Sequence, residues 1–346
     1  MLSAGTFHER NKHMLRVVQM GLGPLGKKIV KYALDRQGIV FVGAVDPARD
    51  KAGKDLGKLC GRKPLGIIVQ SDLASALKGQ QADVAIVTTL SSLAKVESQI
   101  VEAASFKLPV VSTCEELSYP FGLQPEMSTR IHEVCKRNGV ACLGTGVNPG
   151  FLMDYLPSVL SSVCQDVTQV TVRRVQDASS RRIPFQKKIG AGLTVDQFDA
   201  RVDDGTLRHV GLTESIHMIA ASLNWRLDKT TETLRPVLAK RLIATGYKKI
   251  RKGEACGVEQ IGRGFVGTKE VIRLHFRAAV GEKRSYDSIE IRGTPDLSST
   301  IRGGVNGDIA TCAVTLNALR SVLKASPGLK TMLDIPVPGF FVGDEA

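Results

Sequence analysis

The sequence predicts an α/β fold: a doubly wound parallel sheet followed by a second, α+β domain. Three observations carry this. Residues 15–46 read as strand, glycine-rich turn, helix and strand; strand and helix patterns keep alternating as far as residue 143; and beyond residue 150 the chain turns to longer strand-rich stretches. At 346 residues the chain exceeds what one core usually serves, and 43% hydrophobic residues are enough for two. The expected domains are 14–150, 151–302, and a C-terminal segment 303–346 whose helix packs back on the first domain. Residues 1–13 show no periodicity and are expected to be a flexible extension.

The first element is the apolar run Leu15 to Met20, followed by Gly21-Leu22-Gly23-Pro24-Leu25-Gly26, a helical stretch, a second apolar run Ile39 to Val45, and Asp46. GxGxxG between a strand and a helix is a dinucleotide-binding fingerprint of Rossmann type. Gly21 allows the tight turn, Gly23 lets the backbone approach a pyrophosphate, and Gly26 lets the helix pack closely on its strand. The N–H groups at the helix start, around Pro24 and Leu25, face the phosphates. Asp46, 20 residues beyond Gly26, is placed to accept hydrogen bonds from a ribose diol.

The alternation then continues. Pro47 to Gly61 reads as a loop with a short helix, residues 67–69 as a short strand, 83–88 as a buried strand and 91–104 as an amphipathic helix capped by serine. Residues 109–112 form a further strand, followed by Thr113 to Leu117, a helix from about 125 to 138 and a strand over 140–143. Such alternation implies right-handed crossovers and a parallel sheet, whose ligands lie outside the carboxyl ends of the strands. The informative residues are therefore Thr88 and Thr89, Thr113 to Glu116, and Gly144 to Gly150. Beyond these, Phe151 to Cys164 has helical spacing, Gln169 to Val175 alternates as a strand, and Thr213 to Leu223 returns to helix. Gly257 to Val280 and Ser285 to Gly293 carry strand signals, and Gly303 to Asp308 opens an apolar helix, Ile309 to Leu323.

Composition narrows the function. The net charge of +13 is spread along the chain and aromatic residues make up 5%, so the basic balance favours an anionic cofactor over nucleic acid. No apolar run reaches the ~20 residues that span a bilayer, which excludes a membrane partner. Seven scattered cysteines without a CxxC pair argue against a disulfide framework or a metal site, and imply reduced thiols in a cytoplasmic setting. Residues 1–13 include basic residues but also Glu9, and leave a targeting peptide open.

The order of GLGPLG at 21–26, STCEELSYP at 112–120, GTGVNPGF at 144–151, RVQDASSRR at 174–182 and GGVNGDIAT at 303–311 resembles the 2,4-diaminopentanoate dehydrogenase and native amine dehydrogenase family. Its nucleotide domain in turn is similar to that of dihydrodipicolinate reductase. The resemblance implies an enzyme that interconverts an amine and a carbonyl plus ammonia, with NAD or NADP as cofactor. It places a carboxylate that stabilises a cationic iminium and relays its protons at Glu115 or Glu116. The alternative for both is capping of the helix that follows. Asn148 is assigned to the nicotinamide carboxamide or to the substrate, with turn chemistry as the alternative. The substrate side is assigned to Phe151, Leu152, Met153, Arg174, Gln176 and His275, against a structural ion pair for Arg174 and a core role for His275. Cys114 lacks a visible base and is set aside as a nucleophile. Asp46 repels a ribose 2′-phosphate while Arg49 and Lys51 attract one, so use of both cofactors is expected. Small aliphatic ketones or aldehydes with ammonia are the expected substrates. The competing readings are a diamino acid dehydrogenase, which needs a cation such as Arg174, Arg181 or Arg182 for the substrate carboxylate and a second acid for its far ammonium, and a non-catalytic nicotinamide-binding sensor. A homodimer is expected by analogy.

Overall fold

Val17, Val18, Val84 to Val87, Val110 and Val111 are all fully buried, the burial on both faces that strands of a parallel sheet require. They belong to β1 (Leu15–Met20), β3 (Val84–Val87) and β4 (Val110–Ser112), which with β2 (Ile39–Val45), β5 (Ala141–Gly144) and β14 (Gly328–Lys330) form one six-stranded sheet in a computed structural model. The structure describes residues 14–343 apart from Arg182 and Tyr247, so the extension at 1–13 lies outside the described residues. Every pairing in this sheet is parallel, and the order is β2-β1-β3-β4-β5-β14. Because the chain moves outward to β2 on one side of β1 and to β3 on the other, the topological switch lies between β1 and β3, where such sheets bind ligands.

The helices between these strands are α1 (Pro24–Leu34), the short α2 (Leu56–Leu59) and α3 (Leu73–Ala76), α4 (Leu93–Ser105) and α5 (Pro125–Arg137). Leu93, Val96, Ile100, Ala103 and Ala104 form the buried stripe of α4, at the three- and four-residue spacing of one helical face, and join Val110, Ile131 and Cys142 in the core. The strand expected at 67–69 is reduced to isolated bridges, Val45 to Gln70 and Asp55 to Ile68. Gln70 exchanges backbone hydrogen bonds with Ala44 and Asp46, but Ile68 is 45% exposed, so no ladder extends along the edge.

The chain divides into two compact units, one made of residues up to Val147 together with Asp308 onward, the other of Asn148–Gly307. The second contains β6 (Asp166–Asp177), β7 (Lys229–Leu238), β10 (Ala255–Val266), β11 (Lys269–Ala279), β12 (Tyr286–Thr294) and β13 (Leu297–Arg302), in the order β13-β12-β6-β11-β10-β7. Only β6 and β11 pair in parallel, so the sheet is mixed. A two-stranded ribbon, β8 (Ile243–Ala244) with β9 (Lys249–Ile250), stands apart. The helices of this unit are α6 (Tyr155–Leu160), α7 (Ile183–Lys188), α8 (Val195–Asp203) and α9 (Leu212–Ser222), and the last helix, α10 (Gly307–Lys324), belongs from Asp308 on to the first unit. α9 lies close on one sheet face: a Cβ at Gly262 would come within 2.9 Å of Ile216. The helix expected from 151 is shorter than its apolar pattern, because Asp154 accepts from the Tyr155 N–H and caps α6 there. Among the described residues no helix is long and apolar enough to cross a membrane.

Candidate functional site

The turn after β1 is built by what its glycines lack. Gly21 has φ +89°, and a Cβ there would stand 2.8 Å from the Thr88 carbonyl oxygen. A Cβ on Gly26 would stand 2.1 Å from the Gly21 carbonyl oxygen, so α1 approaches its strand only because that position is glycine. Gly23 differs: nothing lies within 4 Å of its Cβ position. Gly21 and Gly26 thus serve the turn, whereas Gly23 opens onto a groove of 410 Å³ lined also by Asp46, Lys51, Thr88, Thr89 and Gln99. Pro24 occupies the first turn of α1 and no side chain caps its start. The Lys27 N–H donates to the Gly23 carbonyl (3.0 Å), and the N–H groups before it in that turn, beginning at Leu25, are of the kind that draws anions to a helix start.

Two polar side chains hold this turn from below. Gln19, fully buried in β1, donates through Nε2 to the Gly21 carbonyl (2.9 Å) and to Thr88 Oγ1 (2.8 Å), and Thr88 Oγ1 donates to the same Gly21 carbonyl (2.8 Å). Thr88 therefore borders the groove while its hydroxyl fixes the turn. Thr89, exposed, bonds Gln99 through its hydroxyl. Gln19 was not marked in the sequence; its signal was an amide inside an otherwise apolar strand.

Asp46 follows β2 and is 7% exposed. Its Oδ2 accepts from the Leu22 N–H (2.8 Å) and from Lys51 Nζ (2.7 Å), and its Oδ1 from the Ala48 N–H (3.1 Å). Burial works to raise its pKa, but the bonds from Lys51, Leu22 and Ala48 outweigh it and hold the carboxyl below its ordinary value. Of the two cations beyond Asp46, Lys51 borders the groove and forms the ion pair, while Arg49 is exposed and is not among the groove residues.

The EE pair sits at the carboxyl end of β4 on a single 3₁₀ turn, Glu115–Leu117. Glu116 Oε2 accepts from the backbone N–H of Leu93 (2.8 Å) and from Gln124 Nε2 (3.0 Å). It thus satisfies the first N–H of α4, the helix before it in the chain, and also bonds the side chain of Gln124, the residue that precedes α5, the helix after it. Ser92, the expected cap, makes no side-chain bond there. Cys114 is 1% exposed and donates its thiol to the Ser91 carbonyl. Burial above all, with Glu115 and Glu116 nearby, pushes that thiol up to about 12, which removes it as a nucleophile.

Asn148 opens the second unit, and both polar atoms of its side-chain amide are buried without a hydrogen-bond partner among the described residues. The loop it heads is gripped firmly. Asp154, fully buried, accepts from the Gly150 N–H (2.7 Å) and from Ser215 Oγ of α9 (2.8 Å), and a Cβ on Gly211 at the start of α9 would stand 2.4 Å from the Pro149 ring. A rigidly held amide with an open donor and an open acceptor suits a ligand with the same pair, such as a carboxamide.

The residues assigned to the substrate side do not form one constellation. The register sets Arg174 opposite Phe276 and Gln176 opposite Ala278, whereas His275 pairs with Arg173. Side chains alternate across a strand, so His275 projects from the opposite face of the sheet. There it bonds Glu259 (3.0 Å), which removes it from the pocket set. Arg174 is 2% exposed: Nη1 donates to Asp287 Oδ1 (2.6 Å) and Nη2 to the Val305 carbonyl (2.9 Å). Leu152 and Met153, at 2% and 0% exposure, pack against Arg174 and Asp287 around a void of 10 Å³, too small for a substrate. Phe151 is half-buried, its ring 6.0 Å from that of Tyr155.

Comparison with known proteins places the two halves of the chain. Residues 151–346 match the family described as the 2,4-diaminopentanoate dehydrogenase C-terminal domain, and residues 15–142 that of the dihydrodipicolinate reductase N-terminus. A 2,4-diaminopentanoate dehydrogenase of Acetoanaerobium sticklandii is 31% identical over 342 residues, covering 95% of this chain and 96% of that protein. A 4-hydroxy-tetrahydrodipicolinate reductase of Moorella thermoacetica is 30% identical over 138 residues, 40% of this chain and 47% of that protein. Among solved structures, an amine dehydrogenase from Mycobacterium smegmatis superimposes with a TM-score of 0.84 at 22% identity, covering 96% of this chain and 99% of the other.

Proposed function

The chain belongs to the 2,4-diaminopentanoate dehydrogenase family, and from that premise we propose that it interconverts a primary amine on a small aliphatic skeleton with the carbonyl compound and ammonia, using a nicotinamide cofactor. The observation that carries the assignment of roles is the fate of the EE pair. Glu116 holds the start of α4, and of the pair we assign the carboxylate that works at the reacting nitrogen to Glu115, on the same turn at the carboxyl end of β4.

The residues present fit a nicotinamide dinucleotide. Gly23 and the start of α1 would hold its pyrophosphate, and Asp46 and Lys51 its adenosine ribose. When bound, the nicotinamide supplies the hydride for amination or accepts it in deamination. Glu115 contributes negative charge against the iminium cation and takes or returns the proton as ammonia adds or leaves. Lys51 cancels the charge of Asp46, so the ribose end accepts either a hydroxyl or a 2′-phosphate, which supports use of both cofactors.

The substrate's remote end divides two readings. An apolar pocket for neutral ketones or aldehydes rested on Phe151, Leu152 and Met153, and two of these lie in the core. A diamino acid needs a cation and an acid side by side away from the reacting carbon, and one cavity of the second unit offers both. The test of the shared chemistry is amine-dependent reduction of NAD⁺ and NADP⁺, and ammonia-dependent oxidation of their reduced forms, with 2,4-diaminopentanoate, pentan-2-amine and the matching ketones. Turnover with Glu115 intact and its loss in Glu115→Gln is the expected result. Absence of ammonia-dependent turnover with every substrate would overturn the reading.

A further inference from the structure

A cavity of 560 Å³ opens in the second unit where β7 and β11 end and β10 begins, and none of its lining residues belongs to the nucleotide groove. Its size falls within the roughly 300–1,000 Å³ of small-molecule sites. The buried part of the lining is apolar: Val237, Ala239, Cys256, Ala279 and Val280. The sheet pins these walls. The Ala239 N–H donates to the Glu254 carbonyl (2.9 Å), the Val280 N–H to the Cys256 carbonyl (2.8 Å), and the Gly281 N–H to Asp177 Oδ1 (3.0 Å).

The rest of the lining is cationic. Lys240, Arg241 and Lys283 are exposed and Arg277 is half-buried, against a single carboxylate, Glu282. β7 and β11 both run antiparallel to β10, so their carboxyl ends emerge on the same edge of the sheet. That is why Lys240 and Arg241, which follow β7, meet Lys283, which follows β11. The one carboxylate is already used: Glu282 Oε2 accepts from Arg277 Nε (2.7 Å) and Oε1 from the Lys283 N–H (3.0 Å). Arg277 Nη1 also donates to Glu259 Oε1 (3.3 Å), so Arg277 is matched within the fold. Among the described residues no hydrogen bond or ion pair reaches the side chains of Lys240, Arg241 or Lys283. Three unmatched like charges around one cavity repel one another, a cost that a bound anion removes.

We infer that this cavity is a binding site for a small phosphate ester with an apolar body, its phosphate among Lys240, Arg241 and Lys283 and its body on the apolar wall. Two ammonium groups act as point charges and the guanidinium as a fork, a set that suits the several oxygens of a phosphate. An anion of one charge leaves two of the three cations unmatched, and an inorganic ion leaves the apolar wall against water. The site is separate from the nucleotide groove in its residues and stands whatever amine the enzyme turns over.

The experiment is calorimetric titration of the full chain by 1-naphthyl phosphate, doubly charged above its second pKa of about 6, and by 1-naphthalenesulfonate, the same ring system with one charge. Wild type binds the phosphate more tightly, and added salt narrows the difference. Removing the three cations together, Lys240→Gln/Arg241→Gln/Lys283→Gln, weakens the phosphate about 10- to 100-fold, the product of three exposed charge contacts at about 2- to 5-fold each. Lys240→Arg/Lys283→Arg, which keeps the charges, stays near wild type. The replaced side chains are exposed, so melting temperatures of both variants match that of the wild type. Gly23→Val, altered in the nucleotide groove, binds the phosphate as the wild type does. No binding of the phosphate, a phosphate bound no tighter than the sulfonate, or a triple variant that binds it unchanged overturns the inference. So does loss of binding in Gly23→Val, which would put the anion in the groove.

Discussion

The adjacent glutamates should separate cleanly under mutation, one through stability and the other through rate. Glu116 Oε2 holds the Leu93 N–H and Gln124 Nε2, so Glu116→Ala removes a helix cap and a charge-assisted bond in one step. A lost cap costs about 1 kcal/mol and the second bond about another 1. At ~2–4 °C per kcal/mol for a unit of this size, the melting temperature should fall by roughly 4–8 °C. Turnover at a temperature where the variant is folded should stay within a few-fold of wild type. Glu115→Gln should do the reverse: turnover down by about 10² to 10⁴, the range for a lost general acid or base, with the melting temperature nearly unchanged. Scanning fluorimetry and steady-state amination on both single variants decide the matter. If Glu116→Ala loses as much turnover as Glu115→Gln without losing stability, Glu116 is the working carboxylate and the division of roles drawn from its bonds is wrong.

Three further outcomes follow from the same geometry. Gly23→Val should fold, because its side chain enters open space, yet lose cofactor binding in a fluorescence titration, whereas Gly26→Ala drives a methyl into the Gly21 carbonyl and should lose stability as well; cofactor binding by folded Gly23→Val would contradict the groove. Asp46→Ala should move the ratio of catalytic efficiencies toward NADP and Lys51→Ala toward NAD, each by about 1 to 3 kcal/mol for one charge-assisted contact; ratios that stay put would remove the pair from the ribose. His209 is held down to about 3 by burial and by the charges of Lys188, Arg174 and Arg181, so it stays neutral in the fold while the unfolded chain protonates near 6.5. Its contribution is complete above pH 6.5 and shrinks as the pH falls toward 3, by about 2 kcal/mol at pH 5; urea unfolding at pH 7.5 and 5.0 should show a smaller acid loss in His209→Asn than in wild type.

What was legible in the sequence was whatever depends on local pattern. The glycine turn, Asp46 and the parallel alternation follow from short-range sterics and from burial on both faces, and β1 to β5 form where those patterns put them, whereas β14 was not expected and the strand at 67–69 is reduced to bridges. β7 was missed because its run Lys229 to Leu238 carries polar residues on an edge strand, where Pro236 is tolerated and apolar alternation is weak. The substrate side failed for a different reason, one that no single strand contains. Whether Arg174 and His275 share a face depends on the register of β6 against β11, and a step of one residue exchanges the faces. The same holds for charge: Arg174 was one candidate for a substrate carboxylate, but Asp287, 113 residues away, neutralises it inside the sheet. Arg181, on the loop after that strand, is the cation that the fold sets beside an acid in a cavity. Motif position marks a segment with several arginines, and only the long-range pairing within the sheet shows that Arg174 among them is matched from within, by Asp287.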